Sequence, residues 1–221
     1  MVNDLIILAA GGDGRNISEV VKEINNQSYK WNLLGYLDDD SKKQGLEIND
    51  YPVLGTLADA HEYSNCYYVG ILGNVKNRFL RKKIIQKLDF SLNRFATLIH
   101  PEATVSPYAK IGKGTVVLAG ARVNANSKIG NHVYIQTNTN IGHDSIVNDF
   151  CTIATTSVIA GYVKINEGCY VGMNSTIRER TNIGKWSIVG MGSVILNDVP
   201  SYCTVVGNPG KVIKKIYQTE Y

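Results

Sequence analysis

From Val105 to Ile195 an aliphatic residue stands at every sixth position, sixteen times in succession. The series opens Val105, Ile111, Val117, Val123 and closes Ile177, Ile183, Val189, Ile195, and every member is Ile or Val. A period of six suits neither an α-helix at 3.6 nor a coiled coil at seven. It suits a β-solenoid in which each hexad makes one short face and a turn. A β-sandwich would not keep phase through so many units. No hexad can bury its aliphatic alone, so successive coils must stack to make a continuous core. Four residues after each aliphatic comes a small or β-branched residue, among them Thr115, Ser127, Ser145, Cys151, Ser157 and Cys169. The residue just after the aliphatic is usually Gly or Asn, which reads as a tight-turn signal. The run carries no insertion, so no long excursion loop is expected.

Residues 1–98 follow a different grammar, the mixture of strand and helix signals expected of an α/β domain. Leu5–Ala10 reads as a buried strand running into Gly11-Gly12-Asp13-Gly14. A helix is expected from about Arg15 to Ile24, with Ile17, Val20, Val21 and Ile24 at helical spacing. Trp31–Leu37 reads as a strand ending in Asp38-Asp39-Asp40, and Tyr67–Leu72 as another, closed by Gly73-Asn74. Arg78–Leu88 reads as a basic amphipathic helix, and Phe95–Ile99 leads to His100-Pro101, where the hexads take over. The expected organisation is therefore an α/β Rossmann-like domain over 1–98 and a solenoid with a short C-terminal segment over 99–221.

Composition removes several classes. Lys plus Arg is 23 against 19 Asp plus Glu, a net charge of +4 with no basic run, which argues against bulk nucleic-acid binding. At 44% apolar residues a sizeable core is available and wholesale disorder is excluded. No apolar run approaches the roughly 20 residues of a membrane helix. Asp4, the absence of a basic cluster and the short run from Leu5 to Ala10 do not make a signal peptide. The four cysteines, Cys66, Cys151, Cys169 and Cys203, form no CxxC pair. Cys151 and Cys169 fall at the small position of the hexads, so they are expected as core residues of a reduced, cytoplasmic protein.

Gly11–Gly14, joining a strand to a helix, can offer bare amides to a phosphate. Asp38 lies about two dozen residues on, where Rossmann-type folds place an acid on a ribose. By itself this fits a dinucleotide as well as another nucleotide, and the GxGxxG spacing is not met cleanly.

The hexads and the ending Gly207-Asn208-Pro209-Gly210-Lys211 resemble the left-handed parallel β-helix (hexapeptide-repeat) acyltransferases. Ala9–Gly14, Tyr36-Leu-Asp-Asp39, Tyr51-Pro-Val-Leu-Gly55 and Gly70-Ile-Leu-Gly-Asn74 narrow the resemblance. They are similar to the sialic acid O-acetyltransferase and UDP-bacillosamine N-acetyltransferase type of sugar acetyltransferase. The resemblance covers essentially the whole chain. It implies a homotrimer that takes acetyl-CoA as co-substrate in a groove between subunits, with no metal. It further implies a nucleotide-linked amino sugar held by the N-terminal domain, and acetyl transfer to its amine or, in some branches, to a hydroxyl.

The chain has four histidines, His61, His100, His132 and His143. A sugar ammonium is inert until deprotonated, and imidazole suits that task near neutral pH. The resemblance assigns His143 as general base and Asp144 as its polarising partner. Equivalent positions in successive coils lie three hexads, or 18 residues, apart, and stacked strands are roughly 4.8 Å apart. Gly161 thus stands beside His143, leaving open space and a bare amide that suits an oxyanion. Gly172 and Gly190 share this spacing, as do Met173 and Met191, making a stripe suited to a pantetheine arm. Lys211, Lys214 and Lys215 are candidates for the CoA phosphates. The resemblance places Gly11, Gly12, Asp13 and Gly14 near the sugar or phosphates and Asp38 or Asp39 near the base. Related enzymes carry a second histidine nine residues beyond the base, where this chain has Thr152.

The leading expectation is an acetyl-CoA-dependent N-acetyltransferase of a nucleotide-linked 4-amino-4,6-dideoxy sugar for surface glycan synthesis. O-acetylation of a sialic acid hydroxyl and a non-enzymatic nucleotide-sugar-binding trimer are its alternatives. A γ-class carbonic anhydrase shares the solenoid but needs three zinc-binding histidines, and only His132 and His143 lie within the hexads.

Overall fold

A computed structural model describes residues 2–73 and 75–215. Asn74 and the residues after Lys215 lie outside it, so the expected strand-closing turn is described only as far as Gly73. The chain divides into two compact units, Met1–Pro101 and Glu102–Tyr221.

The first unit is built on β1 (Asn3–Leu8), α1 (Gly12–Gln27), β2 (Trp31–Leu37), β3 (Glu47–Ile48), β4 (Tyr51–Gly55), β5 (Tyr67–Val69) and α2 (Phe79–Leu88). The sheet order is β3-β4-β2-β1-β5, parallel except for the β3–β4 hairpin. Leu5, Ile6, Ile7 and Leu8 are all fully buried, as a continuous apolar run in a parallel sheet requires. Ile17, Val20 and Val21 turn the apolar face of α1 into the core. The β3–β4 hairpin, which the sequence reading left unassigned, turns on Asn49 and Asp50 at φ 49° and 68°. Two positive φ values are what a two-residue hairpin turn demands, and Asn and Asp tolerate them.

The boundaries after β1 shift from expectation for a steric reason. Ala9 adopts φ 75°, which ends the strand at Leu8 rather than at Ala10. The helix then starts at Gly12, not Arg15, so the glycine segment is its first turn rather than a preceding loop. A Cβ on Gly14 would lie 2.0 Å from the Ala9 carbonyl oxygen. Only glycine lets the helix begin so close to the strand it leaves.

Asp38 buckles the end of β2 to this segment. Its Oδ2 accepts the Ala10 amide at 2.7 Å and the Lys43 ammonium at 2.8 Å, while Oδ1 accepts the Asp40 amide at 2.9 Å. Burial pushes its carboxyl up, but Lys43 and the two amides outweigh burial and hold it below the usual carboxylate range.

The second unit is a parallel β-helix. Among the described residues, sixteen two-residue strands follow one another at six-residue steps from Thr104–Val105 to Val194–Ile195. The second residue of each is one of the sixteen aliphatics. They form three sheets in which each strand pairs in parallel with the strand 18 residues on, as Ile141 does with Ile159. From Val117 onward every aliphatic is buried, each contributing about 1.5–3 kcal/mol, while Val105 and Ile111 in the first coil are partly exposed. Cys203–Val206 continues one sheet, and Lys211–Lys215 closes it as an antiparallel partner.

The small position has its own logic. Thr115, Ser127, Ser145 and Ser157 are buried, and each hydroxyl donates to the carbonyl 15 residues on, at 2.8–2.9 Å. The thiols of Cys151 and Cys169 do the same to Asn166 and Gly184, both at 3.0 Å. These cysteines are therefore free core residues, as expected.

The glycine after each aliphatic has a different reason from the one expected. Gly112, Gly142, Gly172 and Gly190 are not among the positive-φ residues. Instead a Cβ on Gly142 would stand 2.4 Å from the Ala160 carbonyl carbon of the next coil. The left-handed turn residue falls two places later, at Gly114, Asn126, Asp144 or Tyr162.

Two outcomes follow. Ile159→Ala removes a fully buried link of the stack and is expected to lower stability by about 2–5 kcal/mol, read from the urea midpoint. Asp38→Asn is expected to cost about 2 kcal/mol at neutral pH. Because the folded carboxyl is depressed, this contribution is present above the ordinary carboxylate pKa and fades as pH falls through the lower folded value. The wild type and the variant should therefore converge in urea midpoint as the pH is lowered below the ordinary carboxylate range.

Candidate active site

In the β-helix, His143 and Asp144 sit on the turn between strands Asn140–Ile141 and Ile146–Val147. The adjacent core residues Ile141 and Ser145 are buried, so the turn is anchored at both ends while its side chains face outward. His143 Nδ1 lies 2.8 Å from Asp144 Oδ2. The imidazole is 57% exposed and the Asp144 side chain 32%. The hydrogen bond from His143, opposed by slight desolvation and helped by Asn126, holds the Asp144 carboxyl below its ordinary range. An ionised Asp144 accepts a hydrogen bond from Nδ1–H in the tautomer whose Nε2 carries the lone pair, on the side of the open space at Gly161.

Gly161 stands where the 18-residue register puts it. A Cβ there would lie 2.8 Å from both Cε1 and Nε2 of His143. The open space beside the imidazole exists because this residue has no side chain. Among the described residues the Gly161 amide meets no acceptor within the chain, whereas its carbonyl accepts the Arg180 amide at 3.2 Å.

Asn126 and Tyr162 also surround this pair, and the sequence reading missed both. Asn126 Nδ2 donates to Asp144 Oδ1 at 3.2 Å. The Tyr162 ring meets the imidazole edge-on, with centroids 5.1 Å apart at 88°. Counting 18 residues either way from Asp144 reaches both, so the signal was there in the repeat.

The glycine and methionine stripe is only partly a free surface. The Gly172 and Gly190 amides donate to Val189 and Val205 at 2.8 Å, so they belong to the coil ladder and are not bare. A Cβ on Gly172 would collide with Met191 N at 2.6 Å. What the stripe exposes is the side chains of Met173 and Met191, at 44% and 73%. Lys211, Lys214 and Lys215 lie exposed on the last strand. Thr152 is 8% exposed. His132 is buried and stacked on Phe150, with ring centroids 5.2 Å apart.

In the N-terminal unit, Gly12, Asp13 and Gly14 form the first turn of α1, with Gly11 as a cap that uses no side chain. First-turn amides have no intrahelical acceptor, and the helix dipole makes this end positive. Asp13 adds a carboxylate at the same place. Asp38 spends both oxygens on the chain itself, so it shapes the loop instead of offering a free carboxylate. Asp39 uses Oδ1 on the Leu57 amide at 2.8 Å. It also lines a pocket of about 450 Å³ with Leu57, Ala58, His61, Ile84, Lys87 and Leu88.

Residues 4–88 match the PglD N-terminal domain family. A curated UDP-N-acetylbacillosamine N-acetyltransferase from Bacillus subtilis is 31% identical over 120 residues, 53% of this chain and 52% of the relative. The chain thus spans about half the length of that curated relative in the match. The acetyltransferase domain of PglB from Neisseria gonorrhoeae is 31% identical, over 96% of this chain and 100% of that one, with a TM-score of 0.83. That domain is also solved in complex with acetyl coenzyme A, at a TM-score of 0.84. PerB from Caulobacter crescentus, in complex with CoA and GDP-perosamine, is 25% identical over 97% of this chain and 99% of its own, with a TM-score of 0.84. These likenesses make the solenoid a left-handed β-helix. With an α/β unit of the PglD type, sixteen hexads in register and a solved relative matched along its whole length, the chain belongs to the hexapeptide-repeat sugar acetyltransferase family.

Proposed function

We propose that the protein transfers the acetyl group of acetyl-CoA to the amine of a nucleotide-linked 4-amino-4,6-dideoxy sugar. The observation that carries the reading is the His143–Asp144 pair at 2.8 Å, with Gly161 beside the open edge of the ring. Relatives named for UDP-N-acetylbacillosamine N-acetylation and for binding GDP-perosamine support an amino-sugar acceptor.

In this mechanism Asp144 holds Nδ1–H; the sugar ammonium first loses a proton to water, and Nε2 accepts the second proton from the amine nitrogen as it attacks. The nitrogen bonds to the thioester carbonyl carbon, and the carbonyl oxygen gains charge that the Gly161 N–H stabilises. Collapse of the tetrahedral species breaks the C–S bond, and CoA leaves as the thiolate. The proton held by His143 then returns to the thiolate or to water. Met173 and Met191 offer flexible apolar contact to the pantetheine arm, and Lys211, Lys214 and Lys215 offer charge to the CoA phosphates.

The N-terminal unit would bind the nucleotide sugar. Gly12 and Gly14 present first-turn amides, and the Gly11 cap its backbone, to the phosphates. Asp39 and the pocket it lines would take the base, with Asp38 shaping the loop between them. Exposed apolar side chains stand on two turn edges of the β-helix, Tyr162 on one and Met173 and Met191 on another, and on the last described strand at Val212 and Ile213. They suit burial between copies of the chain, and the assembly proposed is a homotrimer with the donor groove at its interfaces. Acetyl-CoA as donor places the reaction in the cytoplasm, ahead of surface glycan assembly.

Thiol release from acetyl-CoA, measured with UDP-, dTDP- and GDP-linked 4-amino sugars and with free sialic acid, tests the reading. One amino sugar is expected to support turnover, and His143→Ala to reduce kcat by about 10²–10⁴-fold. Release with sialic acid alone would assign a hydroxyl acceptor. Silence with every acceptor despite bound acetyl-CoA would leave a binding protein. Gly161→Ala places a methyl against the imidazole and is expected to lower kcat by at least about tenfold while the fold is retained.

A further inference from the structure

Asn126, Asp144, Tyr162 and Arg180 occupy the same turn position in four successive coils, at φ of 60°, 58°, 61° and 61°. Their backbones are tied coil to coil. Asp144 N donates to Ala125 O at 2.9 Å, Tyr162 N to His143 O at 3.0 Å and Arg180 N to Gly161 O at 3.2 Å. Identical backbone conformations in register send the four side chains along one edge of the β-helix, and His143 lies against that edge.

The contacts along it are specific. Asn126 Nδ2 donates to Asp144 Oδ1, the oxygen that His143 does not use. The Tyr162 ring meets the imidazole edge-on, and its hydroxyl helps to keep Asp144 ionised. The Arg180 guanidinium lies 4.6 Å over the Tyr162 ring.

Bulky residues at left-handed turns occur on another edge as well, where packing explains them. His132 is buried on Phe150, and buried Trp186 fills the space over Gly168. Tyr162 is 48% exposed and Arg180 is exposed, so core packing does not account for them.

An aspartate has a broad terminal torsion, and an exposed one can turn either oxygen, or neither, to a neighbouring imidazole. We infer that Asn126 and Tyr162 are positioning residues that fix Asp144 and the His143 ring as a unit, with Arg180 bracing Tyr162. Asn126 holds Oδ1 so that Oδ2 stays on Nδ1–H. Tyr162 limits rotation of the imidazole, which keeps Nε2 on the side of the open space at Gly161. The inference rests on His143 being the base of the reaction proposed above, but the ring geometry can be read without any turnover.

The test uses the full chain labelled with ¹⁵N, with the His143 ring signals identified by their loss in His143→Gln. The wild type is expected to show Nδ1 protonated and Nε2 bare in the neutral ring. In Asn126→Ala and Tyr162→Ala, the second of which removes the ring that meets the imidazole, the signals should move toward a mixture of tautomers. Turnover should fall about tenfold in kcat, with KM for donor and acceptor within about twofold. Asn126→Ser, which restores a donor, should recover part of both effects. All substituted positions are exposed, so the fold is expected to survive, and matched melting curves check this. Ring signals identical to wild type in both single variants and in the double variant would overturn the inference, whether or not kcat changed. A wild type that acetylates none of the acceptors would remove the proposed function, while the ring signals would still decide for or against the positioning edge.

Discussion

The register of eighteen residues between stacked coils is the constraint on which the rest of the β-helix depends. It is enforced by two interactions at each step and by a third at many of them. Backbone amides bond to the next coil, as Gly142 N does to Ile159 O at 2.8 Å. Aliphatics sit on aliphatics, and the small position adds a hydroxyl or thiol bond to the coil above. A slip of one residue would turn every aliphatic out of the core and leave the buried hydroxyls without acceptors. The stack is therefore rigid in register, and it delivers side chains to its edges at fixed spacing. His143, Gly161 and the exposed Tyr162 meet for that reason, and no loop has to fold back to bring them together.

The N-terminal unit solves its problem differently. Its sheet is short, and the segments that matter for binding leave the ends of its strands. They are held by single polar contacts rather than by repetition. Asp38 is the clearest case: one carboxylate ties Ala10 just beyond the first strand, Asp40 in its own loop and Lys43 beyond it. The close approach of Gly14 to Ala9 fixes where the first helix begins. A positive helix end and a pocket lined by Asp39 result from this local wiring.

Much of this was legible in the residues. The hexads specified a solenoid because the period of six has few other physical solutions, and every aliphatic of the series ends a strand. Counting by eighteen put Gly161 beside His143 correctly. The same count did not extend as readily to Gly172 and Gly190, because a glycine's identity does not tell whether its amide is open or spent on the ladder. It is spent in both. The glycines after the aliphatics were read as turn formers when they are clearance residues, since a sequence shows that a side chain is missing but not which atom would have met it. Asp38 looked like a ligand group because of its position after a strand, and its three partners within the chain appear only when the loops are folded.

The sequence by itself determined the β-helix, its register and the burial of its aliphatics and of Cys151 and Cys169. Each follows from periodicity along the chain, which needs no knowledge of distant contacts. The tertiary structure alone decided the hairpin at Asn49 and Asp50, the start of the first helix at Gly12 and the internal role of Asp38. It also decided which amides of the glycine stripe are free and how Asn126 and Tyr162 grip the site. These depend on backbone conformation and on hydrogen bonds between segments far apart in sequence, and such bonds are allocated only when competing donors and acceptors are brought within reach of one another.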